Sequence, residues 1–453
     1  MLTITRLFGF EGLYGQDAYK YAEYTQAMIS FFETGIWPSD FIWPVGYPFF
    51  SAVLNLFLPL SLAMQLVSVF SLIGIGLLVK NIQSSLYPKV NKEFDVWGVV
   101  CLVILSPYFL RASVVAMSDL QCAFFITLAL RQFTIYRVSS KSKSIIWFAI
   151  AGSLAVMTRY PAALIIVPLG VLFLVEMVKK GVLPIAQIII AIIFILTISY
   201  PQLGLRKSGS LNFLNHSLLE SWSLNNFFSN SFFSADGSSV YKLPNLLFVV
   251  SPFVHPGFIT LGFPLLLSAF YNRKFLINSW RILLLIAIYL LFLAGIPTQN
   301  QRLFFIIFPL VVLAEISWFE FLINRIKYKR YLVSAAIICQ LTLFVYAISK
   351  PLERVRMERG ITNHLKTLDS KSIIYTMDLD LCFNYYGVEN KVYNLYYTAY
   401  NDFVKGSYVL VNPKLFTEQW QQLNPGKNWE RLKSENLELL QSFKNGWELY
   451  VIQ

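Results

Sequence analysis

The sequence predicts a mainly α, polytopic helical membrane protein, with interfacial helices near its start and a small α/β domain at its end. Three observations carry that prediction. Hydrophobic residues make up 56% of the 453 and charged residues 14%, against roughly 25% charged in ordinary soluble proteins. Apolar runs approaching the ~20 residues of a membrane span recur ten times between residues 62 and 349. The formal charge of +12 is also unevenly spread: residues 1–349 hold 24 Lys/Arg against 13 Asp/Glu, while 350–453 hold 13 against 12. The excess is threaded among the apolar runs, as the positive-inside bias requires, and no dense basic patch remains for nucleic acid.

In chain order, MLTITRLFGF (1–10) reads as the last turns of a helix, with no signal-peptide pattern after it. YGQDAYKYAEYTQAMISFFETG (14–35) then places Tyr21, Thr25, Met28, Ile29 and Phe32 on one helical face. Lys20, Glu23, Gln26, Ser30 and Glu33 fall on the other, and Gly35 supplies a stop. A helix of this kind lies in the membrane interface rather than crossing it. WPSDFIWPVGYPFFSAVLNLF (37–57) is apolar but broken by Pro38, Pro44 and Pro48, which predicts a second interfacial element. Two such segments before the first full span imply a roofed cavity at one membrane face.

Spans are predicted near 62–79, 96–111, 115–135, 144–158, 160–178, 182–200, 246–270, 280–296, 303–322 and 331–349. Alternate connections carry the basic residues: Lys80, Lys89 and Lys92; Arg131, Arg137, Lys141 and Lys143; Lys179 and Lys180; Arg273, Lys274 and Arg281; and Arg325, Lys327, Lys329 and Arg330. These five loops belong on the cytoplasmic side. The N-terminal segment, the loop 201–245 and the tail then lie outside. Ten spans with an outer tail put Met1 outside too, which predicts a further transmembrane helix ahead of the given start. The chain therefore divides into a transmembrane part, 1–349, with outer loops at 11–61 and 201–245, and a soluble outer-face domain, 350–453. In that domain SIIYTMDL, KVYNLYY, GSYVLVNP and GWELYVIQ read as strands and LFTEQWQQL as a helix. Cys101, Cys122 and Cys339 lie in apolar runs and Cys382 in the tail, so no disulfide framework is expected.

The candidate functional residues are exceptions to these patterns. Asp17 opens the first amphipathic helix, where a carboxylate acts either as a helix N-cap or as a positioned base. Asp119, in VVAMSDLQCAFF, sits at the outer end of a span. A carboxylate there needs a wet cavity or a partner; a helix cap and an ion pair with Arg111 are the alternatives. Arg111, Arg159, Arg206, Lys207 and Arg302 defy the charge bias by falling on the outer side. Interfacial snorkelling explains such residues; a phosphate site is the functional reading, because guanidinium forks grip phosphate oxygens at two points. His255, in SPFVHPGF, lies near the outer rim, and a lone His serves packing as readily as catalysis.

These residues carry a resemblance. QDAYKYAEYTQAM resembles the first outer-loop motif of the GT-C membrane glycosyltransferases, as seen in protein O-mannosyltransferases and the lipid A aminoarabinose transferase. WPVGYPFF is similar to the Pro-x-Gly-Tyr element that follows, VVAMSDLQCAFF to a Leu-Asp-Pro-Phe position, and MTRYPAALIIVP to a Thr-Lys/Arg-Gly element. The likeness runs over roughly residues 9–325. It implies an inverting transfer of a hexosyl or pentosyl group from a polyprenyl-phosphate carrier to a lipid, glycan or protein acceptor. Asp17 falls on the catalytic aspartate, Glu23 on the Glu of Tyr-Ala-Glu, with Tyr21 beside it, and Asp119 on the second acidic position. Ala18 departs from the pattern, since many members carry a second acid there.

The resemblance also implies a bacterial inner (plasma) membrane, with the active site and C-terminal domain on the periplasmic or extracellular face. The chemistry fits, because a departing phosphate needs cations and an attacking hydroxyl needs a base. No cofactor is implied, no metal ligands are assigned, and a divalent cation stays open. A lipid or glycan transporter or flippase, a lipid-linked polysaccharide polymerase, and a non-enzymatic scaffold are the rival readings.

Overall fold

The computed structural model describes residues 2–36, 38, 41, 43–86, 100–181, 184–204, 220–234, 236–269 and 273–453. After a short helix at Leu2–Leu7, the first amphipathic segment forms a helix over Gly15–Thr34. It ends at Gly35, whose left-handed φ of 71° lets its N–H reach the Phe31 carbonyl, a conformation glycine adopts without a Cβ clash. Ala18, Tyr21, Ala22, Thr25 and Met28 are buried, while Glu23, Gln26 and Glu33 are exposed. The Pro-rich stretch that follows yields a short helix at Gly46–Asn55. Gly46 is required by contact: a Cβ there would sit 2.6 Å from the Met157 carbonyl oxygen. The glycine thus lets the second element press against the end of the Lys143–Thr158 helix, where Arg159 emerges.

Long apolar helices follow, at Leu60–Leu86, Ala163–Lys179 and Ile185–Gly204. Among the described residues four helices are long and apolar enough to cross a membrane, or five if one bent pair counts as a span. Shorter apolar helices lie at Lys143–Thr158 and Ser279–Gly295, and several of the ten expected spans take a different form among the described residues. Two of the differences have visible causes. The expected spans 96–111 and 115–135 become helices Pro107–Val114 and Asp119–Ser139, bent by 114° at a four-residue break; residues 87–99 lie outside the described set. The break is held by side chains from Leu60–Leu86. Gln65 donates to the Val114 carbonyl at 2.7 Å and Ser68 to the Val115 carbonyl at 3.1 Å, meeting polar groups the bend frees. The expected span 246–270 is instead three helical pieces, Asn245–Phe248, Ser251–Val254 and Gly262–Ala269. Pro252, Pro256 and Pro264 remove backbone donors along that stretch.

Two further helices, Arg273–Gly295 and Phe308–Arg325, flank a short 3-10 turn at Gln301–Phe304. The last long helix, Lys329–Leu365, has 37 residues and runs across residue 350, with Pro351 inside it. At 1.5 Å per residue it is about 55 Å long, well beyond the ~30 Å hydrocarbon thickness of a bilayer.

Outside the helices, β1 (Ser231–Ser234) pairs antiparallel with β2 (Gly237–Val240) as a hairpin. The C-terminal residues build a five-stranded sheet from β3 (Ile374–Thr376), β4 (Val392–Asn394), β5 (Tyr408–Val411), β6 (Leu437–Ser442) and β7 (Glu448–Ile452). Its order is β4-β3-β5-β7-β6, with β3 parallel to both neighbours and the remaining pairs antiparallel. The expected helix in LFTEQWQQL is shorter and earlier, at Pro413–Glu418. One hydrophobic cluster joins Phe10, Tyr19 and Tyr47 to Phe383, Leu410 and Trp447, so the opening helix and the sheet domain share a core. Phe10 and Phe383 are fully buried in it, each stabilising that junction by about 1.5–3 kcal/mol.

Candidate active site

The opening helix receives its first-turn hydrogen bonds from elsewhere. Its N-cap position is Tyr14, which makes no side-chain cap. The free N–H of Gly15 is met instead by Glu358 Oε1 at 3.0 Å, from the last long helix. Glu358 is wholly buried and also accepts from the Tyr19 hydroxyl at 2.8 Å and Arg354 Nε at 2.6 Å. Burial, with the Glu358 carboxylate beside it, pushes the Tyr19 hydroxyl well up, so it stays a proton donor. The capping reading of Asp17 thus fails for a physical reason: Glu358 already does that work, which leaves the Asp17 side chain free to face Arg302.

That contact organises the site. Arg302 Nη1 donates to Asp17 Oδ2 at 2.6 Å, and its Nη2 donates to Asp119 Oδ2 at 3.1 Å. Arg159 Nη1 donates to the other Asp119 oxygen, Oδ1. Each arginine comes from a helix junction: Arg159 between Lys143–Thr158 and a 3-10 turn, Arg302 in the turn before Phe308–Arg325. Asn300 Oδ1 accepts the Arg302 backbone N–H at 3.0 Å and fixes that turn. The two carboxylates differ in access. The Asp119 side chain is 2% exposed and that of Asp17 is 42%.

Asp119 begins its helix but caps nothing. Ser118 before it shares a 2.7 Å hydrogen bond with the Tyr21 hydroxyl, which burial pushes up despite Arg159 nearby. The ion pair with Arg111 is also not formed, since Arg111 lies 5.1 Å over the Tyr108 ring.

Asp17 opens onto two cavities. The first, about 240 Å³, is walled by Trp43, Leu164, Tyr289, Phe292, Leu293 and Ile296, with Arg159 and Arg302 at its polar end. The second, about 660 Å³, lies between the opening helix, the hairpin and the C-terminal domain. Of the residues singled out in sequence, Asp17, Asp119, Arg159, Arg302 and Tyr21 come together. Glu23 points away and pairs with Lys20 at 3.0 Å. His255 accepts the Gly257 N–H at 3.0 Å and stacks on Tyr108 at 5.4 Å. Arg206 and Lys207 lie outside the described residues. Among the described residues no group of three or more His, Cys, Asp or Glu is placed to hold a metal ion.

Sequence reasoning missed Trp43, Glu358, Asp236, Asp378 and Asp380. Asp-Gly in SADGSS is a hairpin-turn signal that points to Asp236. Asp378 and Asp380 follow directly on strand β3, where loops carry binding groups.

Comparison with known proteins supports this architecture. Residues 59–200, which include Asp119 and Arg159, match the family model described as dolichyl-phosphate-mannose-protein mannosyltransferase. The fold is similar to that of ArnT from Cupriavidus metallidurans in the apo state, with a TM-score of 0.59. It is similar also to ArnT bound to undecaprenyl phosphate, with a TM-score of 0.61. In both comparisons identity is 11%, with 99% of this chain and 96% of the other covered. No curated protein matches the chain in sequence. By fold over nearly its whole length the chain is similar to ArnT, over residues 59–200 it matches the dolichyl-phosphate-mannose-protein mannosyltransferase model, and its long apolar helices are those of an integral membrane protein.

Proposed function

We propose that the protein transfers a sugar from a polyprenyl-phosphate carrier to an acceptor hydroxyl, with Asp17 as general base. The observation that carries this reading is Arg302, whose fork bridges Asp17 and Asp119 at the polar end of an apolar cavity that Arg159 also lines. Apolar walls suit the isoprenoid, and two guanidiniums suit the phosphate. The structural likeness to ArnT bound to undecaprenyl phosphate supports the same assignment.

Asp119, almost inaccessible and gripped by both arginines, is the residue that holds them in place rather than a second base. In the reaction the acceptor oxygen attacks the anomeric carbon from the side opposite the phosphate. The carbon–oxygen bond to phosphate breaks with its electron pair leaving on the phosphate, the arginines stabilise that charge, and Asp17 takes the hydroxyl proton. Attack from the opposite side inverts the anomeric centre. The active site and the C-terminal domain face the periplasm or exterior of a bacterial plasma membrane.

Membranes containing the protein, given a radiolabelled polyprenyl-phosphate sugar, should move label into an acceptor fraction. Absence of transfer across a panel of such donors, with Asp17→Asn indistinguishable from wild type, would overturn the proposal.

A further inference from the structure

The second cavity has a different chemistry from the first. The hairpin forms one wall of it by docking on the C-terminal domain: Ser238 N–H donates to the Gln419 carbonyl at 2.8 Å, and Gln419 Nε2 donates to the Asp236 carbonyl at 2.7 Å. Gly237, at φ 82°, permits that approach, because a Cβ there would lie 2.3 Å from the Gln419 oxygen. The volume of this open cleft, about 660 Å³, falls in the ~300–1,000 Å³ range of small-molecule sites.

Two kinds of side chain line it. Trp43, Tyr397 and Trp420 present aromatic rings, with Trp447 buried behind them, and Asp380, Asn394, Asn412 and Gln419 bring planar polar groups that are already anchored within the protein. Asp380 is fixed without a cation: it accepts from Gln16 Nε2 at 2.6 Å and Asn394 Nδ2 at 2.9 Å. Asp17 and Asp378 have their cations in Arg302 and Arg354, whereas no described ion pair involves Asp236 or Asp380. Lys20, the one basic residue in the lining, is paired with Glu23. The cleft therefore carries surplus negative charge, which repels phosphate and carboxylate groups.

A ligand that suits these walls is neutral, has apolar C–H faces for the rings, and carries many hydroxyl donors for the carboxylates and amides. Peptide binders instead use strand edges or apolar pockets for alternate side chains. We infer that the second cavity is the acceptor site and that it takes a neutral saccharide chain, one hydroxyl of which reaches Asp17. The inference rests on the glycosyl-transfer reading above for its role and on the lining for its chemistry.

Binding without donor separates the two. Full-length protein in lipid nanodiscs is titrated by saturation-transfer NMR with neutral hexose oligosaccharides, with the same oligosaccharides bearing phosphate, and with Ser/Thr-rich peptides. The neutral chains should bind, and phosphate should weaken binding about tenfold or more. Trp420→Ala should cost about tenfold, as loss of a large aromatic contact does, with unchanged thermal unfolding confirming the fold. Asp236→Asn combined with Asp380→Asn should shrink the discrimination against phosphate. Preferred binding of phosphorylated chains or peptides, binding of none of the probes, or discrimination unmoved by the double substitution would overturn the inference. Failure of transfer from polyprenyl-phosphate sugars would instead fall on the donor reading alone.

Discussion

At the scale of single residues, the site turns on two aspartates with different surroundings. Asp17→Asn keeps an acceptor for Arg302 Nη1 but removes the proton acceptor, so turnover should fall by about two to four orders of magnitude with folding intact, as read by transfer assays and thermal unfolding. Asp119→Asn strips charge from a buried group that holds two guanidiniums. It should therefore weaken apparent donor affinity along with turnover, a pattern separable from Asp17→Asn in a donor titration. Arg302→Lys replaces a fork by a point charge and cannot span both carboxylates as Arg302 does; donor use should weaken while expression holds, and Arg302→Ala should nearly abolish transfer. Wild-type kinetics in Arg302→Ala would return that residue to simple snorkelling. Asp119, Arg159 and Arg302 were individually legible in sequence because each breaks a strong apolar or positive-inside pattern, and Asp17 because it opens an amphipathic helix. Their meeting was not, since Arg302 and Asp17 are 285 residues apart. Arg111 and His255 broke the same patterns for a plainer reason, packing on the Tyr108 ring.

At the scale of elements, the opening helix was readable from its periodicity and Gly35, but its true start was not. The group that meets its first N–H is Glu358, on a helix more than 300 residues later, and no local signal announces it. Glu358→Ala would leave Arg354 without one of its carboxylates and the Gly15 N–H and Tyr19 hydroxyl without an acceptor. Breaking one partner of a buried pair costs about 3–5 kcal/mol, so thermal unfolding in detergent should drop clearly, and Glu358→Gln should recover part of the loss. The break before Asp119 was legible as the gap between the expected spans 96–111 and 115–135, but its 114° angle was not, because the side chains that hold it, Gln65 and Ser68, belong to a different helix. Strands β3, β4, β5 and β7 showed in their runs of β-branched and aromatic residues, whereas β6, LELLQS, is mostly exposed and has no alternating pattern to read. Gly237→Ala should loosen the hairpin from Gln419 and raise proteolysis near residue 237 without touching Asp17.

At the scale of the whole molecule, composition sufficed for the class, a helical membrane protein, while the bends and proline breaks inside the apolar runs did not show in it. The side assignment is tested by cysteine labels: those near Lys141 and Lys329 should be shielded from an impermeant reagent in intact cells, and those near Ser238 and Pro413 should react. The reverse pattern would invert the proposed orientation. The long final helix adds a mechanical consequence. Its segment beyond residue 350 carries Arg354, which grips Asp378 Oδ2 at 2.8 Å in the wall of the second cavity, and Glu358, which holds the start of the Asp17 helix. A helix longer than the bilayer is thick accommodates by tilting or kinking, and Pro351, which removes one backbone hydrogen bond, lies between the apolar part of this helix and the two residues that brace the cleft. Transfer rates measured in vesicles of graded acyl-chain length should therefore pass through an optimum, so that the lipid surroundings act as a tuning screw on a cleft braced by the last turns of this helix; a flat profile would show that Pro351 uncouples the two.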